Sequence, residues 1–356
     1  MIGYGNSMFL STILDTEMGV APVNTVAPAI TGTAQEGQTV TCSTGTWTGT
    51  PTITYAYQWK RNGSDIGSAT NSTYILVTAD VSQSITCQVT ATNGSGSASA
   101  TSNTITPIPA IDPDAQAFIT AASITDPTQQ SAINQLVVDL KGYSIWTKFD
   151  ALWPMVGGTN TSCSYNLKST SQFQLSWVGG WTWSATGAKP NGVNAYANTS
   201  YNPSVTGLQD SHHLSYYSRT NSNGTEVEVG LLTNSAANGS LLEIRTSGTT
   251  YYRINSGGTY ITYSDSDSRA FYLGNRTASN IVNGWRNSTK VATGTTASNA
   301  LPNGNIYLGA LNQGGDIYRS TKECAFASIG QGLTDTEAAN FYTAVQAFQT
   351  TLSRNV

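Results

Sequence analysis

The chain has 356 residues, enough for two or three domains that each bury a core of their own. Charged side chains make up 10% of it, against roughly 25% in a typical soluble protein, and Ser, Thr, Asn, Gly and Tyr take their place. The net charge of −4 argues against nucleic acid as a partner. No stretch has the roughly 18 apolar residues of a membrane-spanning helix, so membrane insertion is not expected.

Residues 1 to 22 predict an arm without a fold of its own. The residues Phe9, Leu10, Ile13 and Leu14 have helical spacing, but the segment is too short to be stable as an isolated helix. Two interpretations stay open, a loose chain end and a docking peptide that becomes ordered on a partner. The segment has no basic region and no small-residue cleavage site, so a signal peptide is not expected.

Residues 23 to 107 predict a first β-sandwich. Runs of alternating polar and apolar residues are separated by turns that contain Gly and Asn. Cys42, Trp59 and Cys87 follow one another in the order of an immunoglobulin-type sandwich, where a core Trp packs against two cysteines on facing strands. The two sulfurs are expected to be buried neighbours. Whether they form a disulfide stays open, because a chain without a signal peptide is expected to be made in the cytoplasm, which disfavours oxidation.

Residues 108 to 156 predict a helical connector. Asp112 and Asp126 each precede a proline, which pairs an N-cap with a residue suited to the first helical position. Gly142 predicts the C-terminal stop of the second helix. Four apolar residues recur before it at helical spacing: Ile133, Leu136, Val137 and Leu140. Their apolar face is expected to pack on the domain that follows.

Residues 157 to 356 predict a second sandwich, of jelly-roll type, with a C-terminal helix. Many short alternating runs are separated by Asn-Gly, Gly-Gly and Ser-Asp turns. A capping box of Thr334 and Glu337 predicts where the helix begins. The predicted fold class is mainly β: an N-terminal arm, an Ig-like β-sandwich, then a concanavalin-like jelly-roll sandwich with short packing helices before it and one C-terminal helix.

Both sandwiches resemble known families. Residues 59–63 (Trp-Lys-Arg-Asn-Gly), 79–81 (Ala-Asp-Val) and 87–93 (Cys-Gln-Val-Thr-Ala-Thr-Asn) resemble the motif of bacterial and phage Ig-like modules. From Asp112 to Val356 the chain resembles phage virion proteins with a concanavalin-like, LamG-type jelly roll. The matching stretches include residues 112–118 (Asp-Pro-Asp-Ala-Gln-Ala-Phe), 186–192 (Thr-Gly-Ala-Lys-Pro-Asn-Gly) and 213–220 (His-Leu-Ser-Tyr-Tyr-Ser-Arg-Thr).

The resemblance implies a structural protein of a phage particle: a capsid decoration protein, or a head-fibre or tail-fibre component. It would lie on the virion surface, be made in the cytoplasm of the bacterial host, and adhere weakly to host-surface or environmental glycans. The implied partners are other capsid or tail proteins and further copies of the chain. The alternative is a secreted carbohydrate-binding protein or glycoside hydrolase with a concanavalin-like fold.

Five aromatic residues are the candidates for glycan binding: Trp181, Trp183, Tyr217, Tyr252 and Trp285. Aromatic rings stack on sugar faces, and strict alternation along a strand would turn one member of each adjacent tyrosine pair outward.

Catalytic and metal sites are not expected. Glu226 and Glu228 share one face of a predicted strand, as the carboxylates of glycosidases do, but an ordinary solvated face is the favoured interpretation. The adjacent residues His212 and His213 would point to opposite faces, which argues against a zinc site.

No cofactor is expected, and the alternative is a bound calcium ion. Asp265 and Asp267, together with Asp210, supply the oxygen ligands that calcium prefers. A turn rich in Ser and Asp is the favoured interpretation of the same residues.

Overall fold

The computed structural model describes residues 19–233 and 237–356. The chain divides into two compact units, of which the first ends at Ala110 and the second begins at Ile111. Among the described helices, none is long and apolar enough to cross a bilayer. The candidate docking residues Phe9, Leu10, Ile13 and Leu14 lie outside the described residues, and their role stays a prediction.

The described part of the first unit is built from short antiparallel strands. They are β1 (Val23–Val26), β2 (Ile30–Thr31), β3 (Thr39–Cys42), β4 (Thr46–Thr48), β5 (Thr54–Arg61), β6 (Ser64–Asp65), β7 (Thr73–Ile75), β8 (Ile85–Asn93) and β9 (Gly96–Thr101). One sheet has the order β2-β3-β7 and a second the order β6-β5-β8-β9, while β1 and β4 pair with each other.

The core of the first unit lies around Trp59. This indole is fully buried, and its Nε1 donates a hydrogen bond of 2.9 Å to the carbonyl of Asn71. Cys42 on β3 and Cys87 on β8 are buried in the same cluster, although their strands belong to different sheets. The alternation of β8, in which Ile85, Cys87 and Val89 are buried, therefore reflects a sandwich with one face of each sheet turned inward.

The second unit begins with helices and continues with many strands. Its helices are α1 (Pro113–Ala121), α2 (Pro127–Gly142), α3 (Asn160–Ser164), α4 (Pro203–Thr206) and α5 (Asp335–Thr351). Its strands are β10 (Phe149–Trp153), β11 (Ser176–Val178), β12 (Trp181–Ser184), β13 (Gly187–Pro190), β14 (Tyr196–Asn198), β15 (His212–Ser218), β16 (Val229–Leu232), β17 (Gly239–Thr246), β18 (Thr249–Ser256), β19 (Ile261–Ser264), β20 (Ala270–Ala278), β21 (Ile281–Arg286), β22 (Thr289–Gly294), β23 (Tyr307–Leu308), β24 (Leu311–Asn312), β25 (Asp316–Ile317) and β26 (Cys324–Gly330).

Two sheets form the sandwich of the second unit. The eight-stranded sheet has the order β12-β13-β26-β15-β20-β21-β22, with β10 paired to β26. The nine-stranded sheet has the order β11-β14-β23-β16-β17-β18-β19, with β24 and β25 attached beside β16. The side chains that pack between the sheets include Leu214, Tyr216, Tyr252 and Tyr272. The predicted mainly β fold class, with sandwiches and one C-terminal helix, is confirmed.

A layer of helices covers the outer face of the eight-stranded sheet. Phe341, Val345 and Phe348 of α5 pack with Tyr217 and Phe326 of the sheet in one buried cluster, and α1 and α2 contribute to the same cluster. As a result, all seven residues of β15 and all seven of β26 are buried. A strand covered on both faces loses its alternation of polar and apolar residues.

The helices begin where the capping residues predict, and α2 ends at Gly142, which is its last helical residue. Asp112 and Asp126 accept hydrogen bonds from the amides of Asp114 and Gln129, and Thr334 forms its capping box with Glu337.

The prediction that Gly142 is the left-handed residue just after α2 is wrong: Gly142 is the last helical residue, and the left-handed residue is Ser144, with φ of 59°. The amides of Ser144 and Ile145 donate to the carbonyls of Lys141 and Leu140, which is a Schellman ending.

Candidate functional site

A groove on the outer face of the nine-stranded sheet is the candidate binding site. It has a volume of about 380 Å³. Its floor is apolar, formed by Val227, Leu232, Leu241 and Leu311. Its walls are polar and aromatic: Thr225, Glu243, Tyr260, Gln313 and Tyr318. We call this site the tyrosine groove. An apolar floor with a few polar groups above it is the usual composition of a small-molecule site.

Alternation along β17 and β18 orients the groove side chains. Leu242, Tyr252 and Ile254 point between the two sheets and are buried. Their strand neighbours Glu243 and Tyr251 therefore point outward, and both are partly exposed. Tyr251 meets Tyr260 edge to face with ring centroids 5.7 Å apart, which extends the aromatic wall beyond the groove itself. Tyr318, half exposed, is the second tyrosine that lines the groove.

The glycan-binding prediction for Tyr252 is wrong, because Tyr252 is the inward member of its pair. Its hydroxyl donates to the carbonyl of Trp285 at 3.1 Å inside the core. The prediction for Tyr217 is wrong for a different reason. Tyr216 faces the opposite sheet and Tyr217 faces the helices, so neither tyrosine of that pair reaches solvent.

Among the predicted tryptophans, only Trp183 is partly exposed. Trp181 is buried against Trp177, with its Nε1 donating to the carbonyls of Val178 and Tyr196, and Trp285 is buried in the cluster beneath the helices. Burial excludes Trp181 and Trp285 as platforms for a sugar. Trp183 packs edge to face on Trp177 and lines none of the groove.

Glu226 and Glu228 form a buried cluster with Lys322 rather than a solvated face. The Lys322 Nζ lies 2.9 Å from Glu226 Oε2 and 3.1 Å from Glu228 Oε1. The side chains of Glu228 and Lys322 have no solvent exposure, and that of Glu226 is 12% exposed. The expectation of an exposed strand face is therefore wrong. Both glutamates lie before β16 proper begins at Val229, where the chain turns their carboxylates toward Lys322.

The hydrogen bonds of this cluster satisfy its remaining oxygens. The Ile244 amide donates to Glu228 at 2.7 Å, and the Thr321 amide and hydroxyl donate to Glu226 at 3.0 and 2.7 Å. Burial raises the pKa of Glu228 to about 7, against the pull of Lys322. Burial also opposes ionisation of Glu226, but the Thr321 amide and the Lys322 ammonium outweigh it and lower the Glu226 pKa.

A second polar network crosses β15 and β26. His213 Nδ1 lies 2.6 Å from the carbonyl oxygen of Gln331, so Nδ1 carries the proton and donates. His213 Nε2 then accepts from the Ser328 hydroxyl at 2.9 Å, and the Ser215 hydroxyl lies 2.6 Å from that of Ser328. A serine beside a histidine base is the geometry of a nucleophile, but all three side chains are fully buried, so no substrate reaches them.

The two histidines point to opposite faces of the sheet, as the sequence predicted. The His213 ring packs on Phe149 and Phe341 below the helices, while the His212 ring stacks on Tyr201 on the other side of the sheet. Burial lowers the pKa of His212 to about 3 and that of His213 to about 4. Both rings are therefore neutral near pH 7.

The three candidate calcium ligands do not come together. In the pairing of β15 with β20, His212 lies opposite Arg276 and Ser218 opposite Ala270. Asp210 thus lies beyond one end of this strand pair and Asp265 and Asp267 lie beyond the other. Arg286 and Arg269 bind the two latter carboxylates at 3.4 and 2.7 Å. Among the described residues, no group of acidic, His or Cys side chains is arranged to hold a metal ion.

All four cysteines are buried and carry free thiols. The thiols of Cys42 and Cys87 are neighbours in the core of the first unit, and the interaction with Cys42 raises the pKa of Cys87. Burial raises the pKa of Cys163 to about 11, so this thiol is not a reactive nucleophile.

The residues that build the tyrosine groove had no distinguishing signal in the sequence. Tyr260 and Tyr318 are single tyrosines in turn-rich segments, and Glu243 is one polar position in an alternating strand. Lys322 lies 94 positions after its partner Glu228, and no local pattern connects them. Tyr251 is the exception, because alternation requires one member of the pair at 251 and 252 to face outward.

Neither a scan of family models nor a search of curated proteins finds a match. Solved structures that align with this chain include the Trypanosoma rangeli sialidase in complex with sialic acid, at 8% identity and a TM-score of 0.40 over 73% of this chain and 42% of the sialidase. The binding domain of botulinum neurotoxin DC in complex with SialylT aligns at 10% identity with a TM-score of 0.41, over 57% of this chain and 52% of the toxin chain.

A third similar structure is domain 4 of a GH43 extracellular arabinanase from Geobacillus stearothermophilus in complex with arabinotriose. It aligns at 13% identity with a TM-score of 0.35, over 55% of this chain and 98% of the domain. The chain spans about half the length of the sialidase and toxin chains that it matches. Likeness at this level carries no argument about ligand, activity or family.

Proposed function

We propose that this chain is a structural protein of a phage particle that binds glycans weakly through the tyrosine groove of its second unit. The observation that carries the glycan part is the groove itself, with Tyr260 and Tyr318 above an apolar floor. Tyrosine rings offer a flat apolar face to the C–H side of a sugar and a hydroxyl to its polar edge. Thr225, Gln313 and Glu243 supply hydrogen-bonding groups that would orient the ligand.

We further propose that the groove binds without cleaving. Glycoside hydrolysis ordinarily needs two carboxyl groups, which flank the scissile bond at roughly 5 to 10 Å from each other. Glu243 is the single carboxylate among the described residues that line the groove. Glu226 and Glu228 are engaged by Lys322 in the interior, and the Ser328–His213 pair is buried under the helices.

The test of glycan binding is a glycan array probed with the full chain and with Tyr260→Ala and Tyr318→Ala. We expect binding of micromolar to millimolar strength that each substitution weakens about tenfold, as the loss of one aromatic contact predicts. Tyr143→Ala is the matched control, because Tyr143 is an exposed tyrosine at the end of α2 and away from the groove. An array without any bound glycan contradicts the proposal, as does loss of binding in the control alone.

The phage part rests on the resemblance of residues 59–93 and 112–356 to phage Ig-like and virion modules, and on the polar, weakly charged composition. We propose that the first unit is an Ig-like spacer and that residues 1–18 dock on a capsid or tail protein. Several copies on one particle would strengthen weak sugar contacts through multivalency. The chain would then lie on the virion surface after synthesis in the host cytoplasm.

Two experiments test this assignment. Mass spectrometry of purified particles detects the chain if it is a virion component, and its absence contradicts the proposal. Deletion of residues 1–18 is expected to leave a folded protein that no longer loads onto particles. The deletion stops there because Val20 belongs to the first unit, with its amide donating to the Thr50 hydroxyl at 2.6 Å and its carbonyl accepting from Asn93 at 2.7 Å.

The alternative function is a secreted carbohydrate-binding protein or glycoside hydrolase. Release of new reducing ends from bacterial polysaccharides, abolished by Glu243→Gln, would establish the hydrolase and overturn the proposal of binding without cleavage.

A further inference from the structure

The tyrosine groove is asymmetric in charge. Of the described residues that line it, Glu243 alone bears a charge. Its side chain points outward from β17 and is only partly exposed. The carboxylate therefore lies close to any ligand in the groove, at a site where water screens it less than on an open surface.

Two cations that follow the groove residue Tyr318 in the chain, Arg319 and Lys322, are already bound to carboxylates. Lys322 is held by Glu226 and Glu228 in the interior. Arg319 donates to Asp316 at 2.8 Å. Their charges are thus neutralised by carboxylates of the protein itself.

Arg253 lies opposite Leu241 of the groove floor, on the same outer face of the sheet. Its guanidinium lies beneath the ring of Tyr260, 5.7 Å from the centroid, and donates to the Ser256 carbonyl at 3.0 Å. It is buried, so it does not reach a ligand in the groove. Among the described residues that line the groove, none is a cation that could pair with an acidic sugar.

We propose that the tyrosine groove selects neutral and amino sugars and rejects sugars that carry a carboxylate or sulfate, with Glu243 as the residue that sets this selectivity. The inference rests on the proposed glycan function. A carboxylate accepts hydrogen bonds from two sugar hydroxyls, and it binds an ammonium group more strongly. A second anion beside it is repelled, and like charges in contact across an interface are strongly unfavourable.

The environment of Glu243 strengthens this selection. Burial raises the pKa of its carboxyl group, which reflects poor hydration of the charge. A bound acidic sugar would reduce that hydration further, whereas an ammonium or hydroxyl group would replace it.

The experiment compares matched glycans on one array: neutral galactosides, the same glycans with terminal sialic acid, N-acetylglucosamine oligomers and their deacetylated, cationic forms. We expect the sialylated glycans to bind at least about tenfold more weakly than their neutral parents. We expect deacetylation to strengthen binding, and this gain to decrease as salt rises. In Glu243→Gln, the difference between neutral and sialylated glycans should shrink to about twofold or less.

The control for overall charge is Glu36→Gln, which changes the net charge equally but lies in the first unit. Sialylated glycans that bind as tightly as their parents would overturn the selectivity, and so would a ranking that Glu243→Gln leaves unchanged. In both cases the proposed function survives if Tyr260→Ala weakens binding. If no glycan on the array binds, the proposed function and the selectivity both fail.

Discussion

At the scale of single residues, the ammonium group of Lys322 forms ion pairs with two carboxylates in the interior of the second unit. Burial disfavours the charged amine, but Glu228 and Glu226 outweigh it and raise its pKa. A buried ion pair contributes little net stability over a hydrophobic replacement, yet removal of one partner leaves an uncompensated charge. The cluster is therefore more sensitive to a single substitution than to a complete replacement.

We expect Lys322→Met to lower the free energy of unfolding of the second unit by about 3 to 5 kcal/mol. The triple substitution Glu226→Gln, Glu228→Gln and Lys322→Met should recover most of this loss, because no buried charge remains. Lys290→Met is the surface control, since its ion pair with Asp335 is partly exposed and contributes at most about 1 kcal/mol. Urea unfolding followed by tryptophan fluorescence measures all three. Equal effects at Lys322 and Lys290 would contradict the account of the cluster.

The raised pKa of Glu228 predicts a pH dependence with a definite sign. The carboxyl group titrates near 4.5 in the unfolded chain and at about 7 in the folded one, so the folded state binds more protons between these values. Stability from this group is therefore complete below pH 4.5 and is lost as pH rises through 7, by at most about 3 kcal/mol.

The test compares the unfolding free energies of wild type and Glu228→Gln between pH 4 and 8. The difference between the two proteins isolates this group, because the buried histidines contribute an opposite slope to both. The free energy of unfolding falls as pH drops below 6.5, because the unfolded chain then takes up protons that the buried, neutral histidines of the folded protein do not bind. If the difference between wild type and variant is flat across this range, Glu228 does not titrate as stated.

At the scale of elements, α1, α2 and α5 share one kind of C-terminal stop: a serine in the left-handed conformation two residues after the last helical residue. Ser123, Ser144 and Ser353 have φ of 53°, 59° and 54°. The amide of each bonds back to the last turn, to the carbonyls of Thr120, Lys141 and Thr350 respectively. Glycine adopts this conformation without the strain of a Cβ atom, so these positions are not optimised for stability.

We expect Ser144→Gly to raise the free energy of unfolding by about 0.5 to 1 kcal/mol. The gain is partial because glycine also increases the entropy of the unfolded chain. Ser171→Gly is the matched control, an exposed serine in a turn without positive φ, and it should be neutral or destabilising. Thermal unfolding by circular dichroism measures both. A destabilised Ser144→Gly would mean that the hydroxyl, and not the conformation, matters at this helix end.

The facing sheets of the first unit hold Cys42 and Cys87 as neighbouring buried thiols. A mild oxidant that takes up two electrons and two protons should join them in a disulfide with little movement of the strands, and the intact mass should fall by two hydrogen atoms. Closure of a loop of about 45 residues would stabilise the first unit by about 4 kcal/mol in the chain-entropy model. Cys42→Ser should abolish both the mass change and the redox dependence of unfolding. Failure of the wild type to oxidise under mild oxidant would contradict this expectation.

At the scale of the whole molecule, each unit has a hydrophobic core of its own. The core of the first unit surrounds Trp59, and the second unit has one core between its sheets and another below its helices. We therefore expect residues 19–110 and residues 111–356 to fold when they are expressed separately. The second fragment should keep the glycan binding of the full chain. Loss of cooperative unfolding in either fragment, measured by calorimetry, would show that the units depend on each other.

The sequence by itself determined the elements whose causes are local. Period-two alternation identified strands, and the N-caps Asp112, Asp126 and Thr334 were recognised because a cap acts within one helical turn. The same local reasoning placed Trp59 and the two cysteines in the core of the first unit.

Only the tertiary structure decided which faces are covered. The helical layer buries Tyr217 and Trp285, and the opposite sheet buries Tyr252. These three residues, which the sequence suggested as glycan-binding, therefore belong to the core. Glu228 is buried and not exposed as predicted, because Lys322, which is distant in sequence, pairs with its carboxylate in the interior. The tyrosine groove brings together positions from Thr225 to Tyr318. Contacts between residues so far apart arise from sheet order and layer packing, and the pattern along a single strand does not contain them.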